Sequence, residues 1–403
     1  MKFYPLKFAL MALLLLLFAC KPAKHNALTH DAYVWQRQWT PALNSALLSA
    51  SPWIDRWRVL GAELRRHGRF APVLIDHQAL VGNGKAVIVV IRINGQLVEW
   101  DPDRIEADSL AVVKKWRELG INVTGLEIDH DCATQRLPDY ARFMAKLRQD
   151  TAELGLSLSI TAIPAWLGAP ELPKLLENVD EAVLQVHSVA DPQHGLFDPR
   201  QAKQWVEKFS AIGPVAFRVA LPTYGSRVAW DKDKRVTAVE SEAPIGLEAT
   251  VAQELTVRPQ DVAVLLDAWR EQPPAKLAGI AWFRLPTRDD RRAWSLETWQ
   301  AVIAGRKLTA KTTVYTSPGP SPGLLDVFVA NESDIDAPFP EKIQILAGQG
   351  CEASDALGGY HSVQADDQIL FHLSQPAILK ARHQSTAGWI RCANHEVKIN
   401  AYP

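Results

Sequence analysis

From residue 33 to about 304, short apolar runs alternate with longer segments in which apolar residues recur every three or four positions. The short runs predict eight strands: Tyr33–Arg37, Arg58–Leu64, Ala86–Ile93, Gly125–Asp131, Leu156–Ile163, Glu181–Val186, Ala216–Leu221 and Ala278–Arg284. Helical spacing is clearest over Ser109–Leu119, Leu137–Leu154, Gln201–Ile212 and Pro259–Glu271, and Gly120 and Gly155 stand where helices would end. Eight strands joined by helical crossovers predict an α/β chain, a (β/α)8 TIM barrel over residues 33–305. A doubly wound open sheet is the alternative, but no GxGxxG follows the first strand.

Two interruptions stand out. Asn94-Gly95 after the third strand predicts a tight hairpin turn beyond the barrel rim. Residues 225–258 form a charged, turn-rich insertion after the seventh strand, of the kind that serves as a lid or stays irregular. Near residue 305 the pattern changes. KTTVYTSPGPSPG (Lys311–Gly323) lies in a predicted linker, residues 306–323, and residues 324–403 predict a small β-sandwich with strands at Leu325–Ala330, Ile343–Leu346, Ile369–Leu373 and Trp389–Cys392. Modules of this kind in secreted proteins bind carbohydrate or are structural, and the sequence does not separate the two.

The N-terminus has its own pattern. Lys2 and Lys7 precede an apolar run from Phe8 to Phe18, too short to span a bilayer core of about 30 Å but suited to a signal peptide. Ala19-Cys20 is similar to a bacterial lipobox, which implies a leader over 1–19, lipidation at Cys20, and a tether over 20–32. A plain secretion signal with a chance cysteine is the alternative. Lys21 favours an outer-membrane address facing the periplasm in a Gram-negative source. The expected product is anchored to the cell envelope by lipid rather than spanning the membrane. In an oxidising compartment Cys351 and Cys392 are expected to form a disulfide, leaving Cys132 as a lone buried thiol. Charge is balanced, 44 basic residues against 45 acidic ones, which argues against nucleic acid as a partner.

Chemistry concentrates in GLEIDHDCA, residues 125–133. Alternation along a strand puts Glu127, Asp129 and Asp131 on one face, with Leu126, Ile128 and His130 on the other. On a barrel strand the acids point inward and Asp131 is nearest the C-terminal mouth, where enzymes of this fold do their chemistry. Like charges so close cannot all ionise comfortably, so at least one pKa is expected to rise, as a general acid requires. The structural alternative is a salt-bridge network, with Arg92 as the expected partner of Glu127. A metal site is not expected: His130 points away from its flanking aspartates and no HxxxH or HxH pair occurs. Other strand ends offer Glu63, Trp35, Arg92, His187, Tyr224, Trp282 and Arg284, with Gln185 sharing a face with His187. Aromatic faces beside carboxylates suit sugar rings.

The order of the lipobox, GLEIDHDCATQRLPDYARFMAKLR, LQVHS and ALPTYG resembles a bacterial domain-of-unknown-function family, number 3142. That resemblance covers about residues 30–305 plus the start of the β module and implies a TIM-barrel lipoprotein grouped with glycoside hydrolases. The fourth strand also looks like that of family 18 glycosidases, whose Asp-x-Asp-x-Glu supplies a positioning aspartate and a glutamic acid that protonates the leaving group. Asp129 and Asp131 match the aspartates, but Ala133 stands at the glutamate position. Sliding the register makes Asp131 the acid and Asp129 its supporter. Trp282 is similar to the tryptophan that those enzymes keep beneath the bound sugar.

These readings converge on an envelope lipoprotein that hydrolyses a polysaccharide or glycan without cofactor or metal. Asp131 is the expected general acid, with Asp129 positioning the substrate or raising the Asp131 pKa. Either Glu63 or an N-acetyl group of the substrate would be the second participant. The rival is a glycan-binding or assembly lipoprotein that kept the barrel and lost the chemistry, and polysaccharide deacetylation is disfavoured by the missing metal histidines.

Overall fold

The computed structural model describes residues 28–187, 195–233, 236–240, 251–346, 350–365, 368–393 and 397–402. The expected leader and Cys20 lie outside these residues. Eight parallel strands form the barrel: β1 (Thr29–Val34), β2 (Arg56–Leu64), β3 (Ala86–Ile93), β4 (Val123–His130), β5 (Ser157–Ala162), β6 (Glu181–Gln185), β7 (Ala216–Pro222) and β8 (Leu277–Phe283). Each pairs with the next, and β1 pairs with both β8 and β2, from Asp31 opposite Arg56 to Val34 opposite Val59. That pairing closes the sheet and excludes the open doubly wound alternative.

Each strand is followed by a helix: α1 (Pro41–Ala50), α2 (His77–Asn83), α3 (Pro102–Glu118), α4 (Leu137–Glu153), α5 (Leu172–Leu176), α6 (Pro199–Ile212), α7 (Pro259–Glu271) and α8 (Leu296–Ile303). Their starts are written locally. Thr40, Asp76, Asp101, Asp198 and Ser295 each accept a hydrogen bond from a backbone N–H of the first turn, and proline opens α1, α3, α6 and α7. Gly120 and Gly155, with φ of 83° and 61°, end α3 and α4 in the left-handed region.

Outward-facing residues such as Leu126, Ile128, Leu158 and Ile160 pack beneath the helices in the main core. Inside the barrel, Tyr33, Leu60, Val90, Val183, Ala220 and Ala281 form a separate apolar layer. Alongside it lies a buried ionic network of three arginines and three carboxylates. Arg58, fully buried, pairs with Asp31, Glu127 and Glu181, while Arg56 and Arg218 each pair with Asp31 and Glu181.

Several expectations are corrected. β1 begins at Thr29, so the end of the predicted tether is strand; Asp31 disguised it by placing a buried charge where an apolar residue was expected. Asn94-Gly95 makes a turn closed by Leu97 N–H donating to Asn94 O at 3.0 Å, and the chain runs on to α3 rather than returning as a hairpin. The extra antiparallel strand lies instead after β2, where Phe70–Pro72 pairs with Ala62–Leu64. The insertion contains a three-stranded antiparallel sheet of Ser226–Trp230, Val236–Glu240 and Val251–Leu255.

The predicted linker also contains a strand: Thr312–Pro318 pairs along its length with Leu324–Asn331. These two, with Gln384–Cys392 and Cys351–Ala356, form one four-stranded antiparallel sheet. A second sheet comprises Tyr360–Ala365, Gln368–Leu373, Lys342–Leu346 and Lys398–Tyr402. Leu325, Val327 and Val329 of the first meet Ile343, Ile345 and Phe371 of the second in one core. Cys351 and Cys392 are joined as a disulfide, and Cys132 is free and buried.

Candidate active site

The alternation of β4 carries its three acids into the barrel at three heights, and each meets a different environment. Glu127 is fully buried. Its carboxylate accepts hydrogen bonds from Tyr33 Oη at 2.7 Å and Ser159 Oγ at 3.1 Å and pairs with Arg58. Burial raises its pKa even against the Arg58 charge. The expected pairing with Arg92 is therefore incorrect, because Arg58 on β2 reaches Glu127 from below. With its oxygens committed to structural partners, Glu127 belongs to the ionic network rather than to the mouth.

Asp129 sits one layer higher, 5% exposed. Thr161 Oγ1 donates to its Oδ1 at 2.7 Å, and Gln185 Nε2 lies 3.4 Å from the same oxygen. Burial, then repulsion from Asp131, pushes its pKa up to about 7. Asp131, just past the end of β4, is exposed. Gln185 Nε2 also lies 3.3 Å from Asp131 Oδ1, so one amide bridges the pair. Crowding by neighbouring atoms raises the Asp131 pKa, with Arg92 and Gln185 opposing. Two carboxyls with raised affinity for protons, one sealed and one open, can hold a proton at neutral pH and present it at the rim.

The rim around them is aromatic. Trp35 lies 5.2 Å from Phe283 between ring centroids, and Arg92 stands over Trp35 at 5.7 Å. A space of about 10 Å3 beside Asp129 is lined by Tyr33, Trp35, Asp129, Thr161, Gln185, Ala220 and Phe283. That is room for one water.

The remaining sequence candidates separate. Glu63 is clamped by Arg37 through two hydrogen bonds of 3.1 and 2.6 Å. Burial works to raise its pKa, but the Arg37 hydrogen bond and charge outweigh it, so Glu63 is held below the usual carboxylate range. His187 stacks on Phe283 at 5.0 Å and shares a 3.2 Å hydrogen bond with Tyr224 Oη; burial lowers its pKa to about 4. Arg284 is buried, pairs with Asp290 and lies over the Tyr224 ring at 5.5 Å, so it braces the mouth from behind. Trp282 does not enter the barrel. It faces outward against Trp299 and donates to His30 Nδ1 at 3.2 Å. The inward ring on β8 is Phe283; neither it nor Tyr33 nor Thr161 is among the site residues expected from sequence. Only Tyr33 had a readable signal, the parity that puts it on one face of β1 with Trp35.

His130 points away from the pair, as alternation requires, to Ile93 O at 3.3 Å and the ring of Trp100. Among the described residues no group of three or more His, Cys, Asp or Glu is placed to hold a metal ion. Among the same residues no helix is long and apolar enough to cross a membrane.

The barrel is similar to solved structures. The spore cortex-lytic enzyme SleL of Bacillus megaterium QM B1551 matches with a TM-score of 0.52 at 12% identity, over 72% of this chain and 76% of that one. SleL of Bacillus cereus gives 0.50 at 14% identity, over 71% and 76%. A chitinase from Chromobacterium violaceum ATCC 12472 gives 0.49 at 14% identity, over 69% and 99%. At such identities the likeness is one of fold. No curated protein sequence matches the chain. Residues 315–393 match a second family model, Domain of unknown function (DUF8456). The barrel itself, over residues 83–288, matches the model described as Domain of unknown function (DUF3142), and the chain belongs to that family.

Proposed function

We propose that the barrel hydrolyses a glycan at the Asp129–Asp131 pair, with an N-acetylated polysaccharide as substrate. The observation that carries this reading is the bridged pair itself: a buried Asp129 with its pKa near 7 beneath an open Asp131, beside an aromatic rim. Asp131 in its acid form donates its proton to the glycosidic oxygen as the bond to the anomeric carbon breaks. Glu63 is engaged by Arg37, so the substrate's acetamido oxygen is assigned the attack on that carbon, closing a cyclic intermediate. The Asp131 carboxylate then takes a proton from the water that opens it. The pair shares one proton, which rests on the buried Asp129 and is on Asp131 when the first step begins; Asp129, held by Thr161 and Gln185, also orients the acetamido group. The shared fold with spore cortex-lytic enzymes supports a glycan as substrate class, as does the family 18 resemblance of β4. Attachment to the cell envelope by lipid at Cys20 is part of this proposal and rests on the lipobox-like sequence alone.

A second reading has its own support. Ala133 occupies the glutamate position of the family 18 pattern, and only about 10 Å3 is open beside Asp129. Both favour a barrel that binds glycan without cleaving it. Incubating the protein with peptidoglycan sacculi and with chitin, and measuring new reducing ends, separates the two. The proposal expects release that Asp131→Asn abolishes while its thermal midpoint stays within a few degrees. Binding without reducing ends supports the second reading.

A further inference from the structure

The first antiparallel sheet of the C-terminal region has one face in the core and one outside it. Leu325, Val327, Val329 and Ile390 point inward, so alternation turns Asp326, Phe328, Trp389 and Arg391 outward. Cross-strand register completes that outer face. Tyr315 is opposite Phe328, Ser317 opposite Asp326, and Trp389 lies between Asp326 and Asp355. Three aromatic rings therefore stand on one face outside the core, Tyr315 exposed and Phe328 and Trp389 half-buried. Tyr315 and Phe328 stack with centroids 5.5 Å apart and planes 24° apart. Tyr315 is 39% exposed, and its hydroxyl donates to Gln384 at 2.7 Å, fixing the ring. Strand geometry puts Trp389 about 8 Å diagonally from Phe328, so the rings reach across more than one sugar unit.

The barrel does not cover this face at its attachment points. It is joined through Asp336, whose carboxylate accepts from Ser295 N–H at 2.7 Å and whose own N–H donates to Thr298 Oγ1, and through Lys380, which donates to Ala293 O. The chemistry of the face selects its occupant. Its rings offer apolar surface, Tyr315 and Phe328 as a stacked pair with Trp389 beyond them, while Ser317, Asp326, Asp355, Gln384 and Arg391 offer hydrogen bonds of mixed charge. A hydrophobic helix would want aliphatic side chains, and an acidic polymer would want a basic excess. A chain of sugars of low net charge, with C–H faces and hydroxyl edges, suits both halves.

We infer that the outer face carrying Tyr315, Phe328 and Trp389 is a binding surface for a polysaccharide chain, separate from the barrel mouth. It does not depend on the barrel being catalytic. The test is affinity electrophoresis of the full chain through gels containing glycol chitin, with sedimentation on peptidoglycan sacculi. Wild type is expected to be retained by at least one, and Asp131→Asn equally so. Tyr315→Ala and Trp389→Ala should each weaken retention about tenfold without moving the thermal midpoint, while Trp389→Phe keeps most of it. The inference is overturned if wild type binds neither probe, or if both alanine variants bind as wild type does. It is also overturned if Trp389→Ala dissolves a dimer and leaves glycan retention unchanged, which would make the occupant a second copy of the chain. Loss of retention confined to Asp131→Asn would place binding at the mouth and overturn it too.

Discussion

Replacing Asp129 by asparagine should make the protein more stable at alkaline pH. In the folded chain the Asp129 carboxyl is pushed from an ordinary 3.8 to about 7 by burial and by the Asp131 charge. The folded state therefore holds a proton that the unfolded state has released. Stability from this site is full below about pH 4 and is lost as the pH rises through about 7. At about 1.4 kcal/mol for each tenfold change in proton affinity, the whole loss has a ceiling of about 4 kcal/mol. Between pH 5 and pH 8 it comes to about 3 kcal/mol. Asparagine keeps the shape and can still accept from Thr161. It cannot ionise. Urea denaturation of both proteins at pH 5 and pH 8 measures the difference. The variant should lose about 3 kcal/mol less than wild type across that interval, ending more stable at pH 8. Parallel losses in the two proteins would refute the assignment of a buried, proton-holding Asp129.

The ionic network gives the opposite sign: Arg58→Met leaves Asp31 and Glu127 buried with too little positive charge and should cost about 3–5 kcal/mol, read as a lower urea midpoint. Acid should act on the same network through Glu181. Burial would raise its pKa, but Arg58, Arg218 and Arg56 outweigh that and hold it at about 2, so its contribution is present above about pH 4.5 and lost as the pH falls towards 2. In Glu181→Gln that acid-dependent part of the unfolding curve should disappear. Gly95 approaches the end of β4 so closely that an added Cβ would lie 2.1 Å from Asp131 O. Gly95→Ala should therefore shift Asp131 and lower kcat against the glycan that wild type cleaves, with little effect on the helical circular dichroism. Breaking the Cys351–Cys392 disulfide, which spans 41 positions, should destabilise the C-terminal sheets by about 4 kcal/mol, seen as an earlier melting step in Cys392→Ser.

The barrel was legible because its outward strand residues are apolar and its helices carry local start and stop signals. Strand β3 and helix α7 fall on the predicted residues, as do the starts of β6, β7 and α4. Errors cluster where a strand interior is polar. Asp31 hid the start of β1, because its three arginine partners lie on β2 and β7 and no local pattern announces them. For the same reason Arg92 was paired with Glu127: adjacency of strands was readable, but the length and direction of Arg58 across the barrel were not. Serine, proline and glycine read as a linker over 311–323, yet Thr312–Pro318 lies on the edge of its sheet, where proline is tolerated. Trp282 was placed inside and Phe283 overlooked because a run apolar on both faces gives no parity to count.

A structure of Asp131→Asn soaked with an N-acetylated oligosaccharide tests the central claim most directly. The account predicts a sugar ring at the rim above Trp35 and Phe283, with its glycosidic oxygen about 3 Å from residue 131 and its acetamido group turned toward Asp129. Sugar bound only at the sheet of Tyr315 and Trp389, with the mouth occupied by water alone, would contradict glycan chemistry at the Asp129–Asp131 pair.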